Sequence, residues 1–124
     1  MIVATFDKTN NQQIDSAVRA FGHNLQKIDS WKDITTDKIV FCIDQHSEEE
    51  IKNYAYQVED LKAFPHPDNA TYVFGRNTNH HLTHEIIEAS DAGKDVQILT
   101  IPGKTLWAEV AMGIILYDYE LQHI

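Results

Sequence analysis

Short apolar runs alternate along this chain with stretches in which apolar residues recur every three or four positions. Residues 2–6, Ile-Val-Ala-Thr-Phe, have the length and composition of a buried strand. Ile14, Ala17, Val18 and Phe21 follow at helical spacing, with Asn10 or Asn11 as the cap and Gly22 as the stop. Residues 24–28 read as a second short strand, and residues 38–43, Lys-Ile-Val-Phe-Cys-Ile, as a strong one that ends at Asp44. Ser47-Glu48-Glu49-Glu50 has the form of a capping box, and the helix it opens puts Ile51, Tyr54, Ala55 and Val58 on one face. Pro65 and Pro67 make residues 64–69 a loop. Residues 71–74 form a strand. Leu82, Ile86 and Ala89 mark a helix closed by Gly93, residues 96–101 form another strand, and residues 105–119 the final helix.

Strand and helix therefore alternate from one end to the other, with no internal repeat, linker or low-complexity tract. That alternation predicts an α/β fold over residues 1–124: a single domain with a mostly parallel sheet and helices on both faces. The final helix is apolar nearly all round, through Leu106, Val110, Met112, Ile114, Ile115, Leu116 and Tyr117. Such a helix needs cover on more than one side, and in so small a chain a partner subunit can supply it.

Composition narrows the function classes. No stretch approaches the roughly 20 apolar residues that span a bilayer, and the start, Met1-Ile2-Val3-Ala4-Thr5-Phe6-Asp7, lacks the basic region and cleavage site of a signal peptide. Cys42 is the only cysteine and lies in an apolar run, which suits a buried thiol and a reducing cytoplasm. A net charge of −9 argues against broad contact with nucleic-acid phosphates, because that affinity comes from Lys and Arg displacing counterions; it leaves room for a local basic patch.

Two loops carry the candidate chemistry. Gly75 follows the strand 71–74, where the absence of a Cβ lets a ligand approach the backbone; Arg76 and Asn77 come next. Ile101-Pro102-Gly103-Lys104-Thr105-Leu106 joins a strand to the last helix, with Thr105 as its N-cap. Gly103-Lys104-Thr105 imitates only the tail of a phosphate-binding P-loop, since the earlier Gly is absent. Asp44 after a buried strand has the position of a phospho-acceptor, but Asp7 alone stands where that chemistry wants an acidic pair. His80 with His84, and His81 with Glu85, are i, i+4 pairs of zinc-binding type. No cysteine and no third ligand accompany them, and a polar helix face beside a loop accounts for them, so no metal is expected.

The same two loops resemble the second and third motifs of the SpoU-type RNA methyltransferases of the SPOUT superfamily. The second motif, Gly-x-Glu-x-x-Gly, is matched by Gly75, with Asn77 in place of Glu and His80 in place of the second Gly. Residues 64–70 also look like the segment that precedes it. The third runs Ile-Pro, a spacer, Ser-Leu-Asn, then an apolar helix ending Leu-Tyr-Glu. Here Ile101 and Pro102 match, Thr105 stands for Ser, Leu106 matches, Trp107 replaces Asn, and Leu116-Tyr117-Asp118 closes the pattern. The first motif, Asn-x-Gly-x-x-x-Arg before Phe-Gly, aligns on Phe21-Gly22, with Asn10 on its Asn, Gln12 on its Gly and Ser16 on its Arg.

The resemblance implies a C-terminal trefoil knot, an exception to the rule against threaded chains, and a homodimer joined through the last helix. It implies S-adenosylmethionine as cofactor, held against Phe74, Gly75, Leu99, Ile101 and Leu106 with Ala111 packing nearby. It further implies methylation of a ribose 2′-hydroxyl of tRNA or rRNA, with Arg76 and Lys104 as RNA contacts. Asn10 takes a catalytic place, and Arg19, nearly one turn beyond Ser16, is the candidate to replace the missing Arg. The combined loss of the motif Arg, Glu and Asn opens an alternative: a catalytically silent relative that binds cofactor, RNA or a protein partner.

Overall fold

A computed structural model describes residues 1–9, 12–54, 56–76, 82–101 and 108–123 of the chain. Among the described residues there are six strands: β1 (Ile2–Thr5), β2 (Asn24–Lys27), β3 (Lys38–Ile43), β4 (Glu59–Asp60), β5 (Ala70–Phe74) and β6 (Asp95–Thr100). Four helices are interleaved with them: α1 (Gln12–Ala20), α2 (Gln45–Lys52), α3 (Thr83–Asp91) and α4 (Ala108–Gln122). Single 3-10 turns occupy Trp31–Asp33 and Leu61–Ala63. The strands form one sheet in the order β2-β1-β5-β3-β6-β4, and every pairing is parallel.

Position in the sheet follows composition. Central β5 is buried at every residue, and β3 is buried from Ile39 to Cys42, as strands covered on both faces must be. The edges go to polar Asn-Leu-Gln-Lys in β2 and to the two-residue β4, and short polar edges discourage pairing with other chains.

Two cores lie on opposite faces of the sheet. The first contains Ile14 and Val18 of α1, Leu61 and Phe64 before β5, and Met112, Ile115 and Leu116 of α4, against Val3, Val40, Cys42, Tyr72, Phe74 and Leu99. The second contains Ile28 and Ile34 before β3, Ile51 of α2, Leu82 just before α3, and Ile86 and Ala89 of α3, against Ala4, Ile39, Phe41, Val73 and Ile98. Connections that move toward the β2 edge (β1 to β2, β4 to β5) run over the first face. Those that move toward the β4 edge (β2 to β3, β3 to β4, β5 to β6) run over the second. One face per direction is what a single crossover hand demands.

Local details depart from the sequence expectations in three places. The helix after β3 is capped by Asp44, whose Oδ1 accepts from Ser47 N at 2.8 Å, and not by Ser47. An Asp at the end of the strand captures the orphan amide first, and Ser47 becomes a buried residue inside the first turn. That helix ends at Lys52, so Tyr54, 53% exposed, and Val58 lie beyond it. A capping box does exist, at Ser30 and Asp33, where it closes the turn before β3. Gly22 and Gly93 adopt φ of +75° and +90°, so both stops after α1 and α3 use the left-handed conformation that favours glycine.

Candidate functional site

Neighbouring parallel strands whose chains leave on opposite faces open a crevice at their carboxyl ends. β1 leads into α1 on the first face and β5 into α3 on the second, so β1 and β5 form one such point. β3 leads into α2 on the second face and β6 toward α4 on the first, which makes β3 and β6 another. The two crevices share one edge of the sheet, with the end of β5 next to both.

The β1/β5 crevice is a cleft of about 390 Å³ lined by Phe6, Asp7, Lys8, Thr9 and Arg76. Its wall is a tightly wound turn. Thr5 Oγ1 accepts from Asp7 N at 3.0 Å, and Asp7 Oδ1 accepts from Thr9 N at 3.0 Å and from Thr9 Oγ1 at 2.6 Å. Asp7 is buried in this arrangement. Lys27 Nζ donates to Thr9 O at 3.0 Å, and Lys8 pairs with Asp29 at 2.5 Å, so the loops after β1 and β2 are braced together. Phe6 N donates to Phe74 O at 3.1 Å, and Arg76 Nε donates to Phe6 O at 3.4 Å. Lys8, Lys27 and Arg76 thus gather at the carboxyl edge of the sheet beside Asp7 and Asp29, with Arg76 reaching from β5 over β1.

At the second crevice the sheet register aligns Phe74, Cys42 and Leu99 across β5, β3 and β6. Two strand spacings put Phe74 and Leu99 about 10 Å apart. All three are buried in the first-face core, beneath α4. Cys42 is a structural thiol: burial pushes its pKa far up, so it stays protonated. Half-buried Gly75 and Ile101 follow their strands directly, and Ile101 and Ala111 pack against the same core. On the opposite face from Leu99, the buried hydroxyl of Thr100 has no hydrogen-bond partner among the described residues.

Among the residues singled out from sequence, Phe74, Gly75, Arg76, Leu99, Ile101 and Ala111 therefore gather at or beside the carboxyl edge. Arg19 does not. It is exposed in the last turn of α1, about 10 Å along the helix from Gln12, and α1 runs away from this edge to begin β2. Asn10, Lys104 and Leu106 lie outside the described residues, as do Asn77, His80, His81, Thr105 and Trp107. Among the described residues no cluster of potential metal ligands occurs. Glu85, one of the residues weighed as a ligand, instead accepts from Trp31 N at 2.7 Å. No helix among the described residues is long and apolar enough to cross a membrane.

A second polar cluster went unread in the sequence. His66 Nε2 lies 2.6 Å from Asp118 Oδ2, and His66 Nδ1 bonds the hydroxyl of Tyr72. The His66 side chain is fully enclosed. The available signal was a lone histidine between Pro65 and Pro67, matched to Asp118, Gln122 and His123 along one helix.

No protein-family model matches this sequence, and no curated protein is similar enough to be matched to it.

Proposed function

We propose that this chain is a SPOUT-type α/β knot that binds S-adenosylmethionine and transfers its methyl group to a ribose 2′-hydroxyl of tRNA or rRNA. The observation that carries the reading is where β5 and β6, the strands that lead into the two motif loops, come to an end. They end on either side of β3, at one edge of a parallel sheet. A cofactor at that edge would lie against the backbone at the ends of these strands, at half-buried Gly75 and Ile101, with Phe74, Cys42 and Leu99 buried in the core beneath.

The proposed knot forms where α4 meets the connection from β4 to β5. Both lie on the first face of the sheet. Asp118 and Gln122 of α4, with His123 just beyond it, bond to His66, Phe64 and Asp68 of that connection. In this reading the chain after β6 passes through the loop which that connection closes.

The cofactor, when bound, supplies an electrophilic methyl group. The protein must then hold the acceptor hydroxyl in line and ease the loss of its proton. The β1/β5 cleft adjoins the cofactor edge, and Arg76 at its mouth can contact an RNA phosphate. Arg19 stands too far along α1 to take the place of the motif Arg, and Asn10 remains the candidate on the first loop. The exposed stripe of α4, Val110, Ile114, Tyr117 and Leu121, recurs at helical spacing and is the surface through which a homodimer would form.

A silent relative is the second reading, favoured by the position of Arg19 and by the net charge of −9. Labelled S-adenosylmethionine incubated with bulk tRNA and rRNA separates the two. Label in RNA supports the enzyme; cofactor binding with no label in either RNA supports the silent relative.

A further inference from the structure

The last turns of α4 are fastened to the segment before β5 by a buried chain of polar side chains. His66 is the middle of that chain, with its ring enclosed by Phe64 at 5.2 Å, Tyr119 at 5.6 Å and Tyr72 at 5.6 Å between centroids. On one side the Asp118 carboxylate can only accept, so Nε2 carries the proton and donates at 2.6 Å. Nδ1 is then the bare nitrogen, and it accepts the hydroxyl of Tyr72, a residue wholly buried in central β5. A second proton on the ring changes this pairing. Nδ1–H could then bond Tyr72 only by donating to its oxygen, and the buried hydroxyl proton would lose its acceptor.

We propose that the Asp118–His66–Tyr72 chain is an acid-sensitive latch, which holds the end of α4 on the segment before β5 and loosens when His66 takes a second proton.

The groups facing His66 come from three elements. α4 contributes Asp118 and Tyr119, with His123 just past its end; β5 contributes Tyr72, with Cys42 of β3 behind it; and the segment itself contributes Asp68, bonded to His123 at 3.0 Å. Burial of the ring lowers the His66 pKa below its ordinary 6.5, and the nearby His123 acts in the same direction. Asp118 pulls upward but does not reverse the shift. The sign follows. Below 6.5 the opened state binds a proton that the closed state refuses, so acid favours opening; above 6.5 the latch is fully effective. His123 is 29% exposed and stacked on Tyr119 at 4.0 Å, so it shares the surroundings without sharing the buried chain. The latch depends on these contacts alone and stands whether or not the protein transfers methyl groups.

Hydrogen–deuterium exchange of the backbone amides of residues 118–122, corrected for intrinsic rate, tests it between pH 7.5 and 5.5. The latch predicts that opening rises by up to about tenfold over that range, the limit for one excluded proton. The His66→Phe/Tyr72→Phe double variant removes both partners of the buried bond and should flatten the dependence, whereas His123→Ala should keep it. A flat wild-type profile, an unchanged profile in the double variant, or loss of the dependence in His123→Ala overturns the proposal. Should the double variant fail to fold, the His66 ring itself decides by NMR: titration below 6.5 with a bare Nδ1 at pH 7.5 supports the latch. Titration at or above 6.5 overturns it.

Discussion

Gln122 grips the backbone around His66 from the end of α4. Its Oε1 accepts from His66 N at 2.8 Å, and its Nε2 donates to Phe64 O at 2.8 Å. One side chain thereby fixes a connection that two prolines keep out of regular structure. Gln122→Ala removes both bonds, and each is worth about 1 kcal/mol net. The expected loss is about 1–2 kcal/mol, read as a lower urea midpoint with an unchanged slope.

Leu99 sits at the centre of the first-face core, fully buried between the register partner Cys42 and the helix α4. Leu99→Ala leaves a cavity there and should cost about 2–5 kcal/mol in the same denaturation experiment. A smaller cost would mean that the core beneath the proposed cofactor edge collapses readily.

Glu85 gives a pH effect with a definite sign. Burial raises its pKa above the ordinary carboxylate value, opposed by the bond from Trp31 N and reinforced by Glu88 and Asp33. Near neutral pH both folded and unfolded chains carry the charge, and the folded one bears the penalty of holding it partly buried. As pH falls the folded state takes the proton first, so this group adds stability on acidification toward 4.5. Glu85→Gln keeps an acceptor for Trp31 N and removes the charge. Its melting temperature should exceed that of the wild type at pH 7, with the gap closing toward pH 4.5.

Ile114 and Tyr117 are 41% and 55% exposed on α4, so a charge at either site does not enter the core of the chain. Tyr117→Asp should leave the circular dichroism spectrum unchanged. Sedimentation at micromolar concentration should find a dimer for the wild type and a monomer for the variant. A monomeric wild type would remove the proposed dimer.

Arg76 and Arg19 occupy opposite ends of the sheet, and this separates their expected effects. Arg76→Ala should reduce methyl transfer to RNA by roughly 10²-fold, on the scale of a lost positioning or charge-stabilising contact. Arg19→Ala should leave it unchanged.

Much of the architecture was legible because long-range packing agreed with local pattern. Residues 38–43 and 71–74 are apolar runs of strand length, and the sheet buries them centrally. Gly22 and Gly93 punctuate helices where only a left-handed residue ends them well. The capping box at Ser47 misled because Asp44, three residues earlier, offers a better-placed acceptor; motif form alone does not say which residue ends the strand. β4 has only two residues, too few for any period to register. The candidate site divided in the same way. Gly75, Arg76 and Ile101 were visible as strand ends, but the cleft wall of Asp7 and Thr9 depends on hydrogen bonds folded back on a turn. The His66 chain joins residues 52 apart in sequence, so no local pattern could reveal it. Arg19 was placed by helical spacing alone, which does not say that α1 runs away from the carboxyl edge.

The most direct measurement is a calorimetric titration of the purified protein with S-adenosylmethionine, repeated with S-adenosylhomocysteine. The account predicts saturable binding of both, weakened by a bulky substitution at the backbone approach, Gly75→Val. Absence of binding heat for either ligand, with the protein shown to be folded in the same cell, would contradict it.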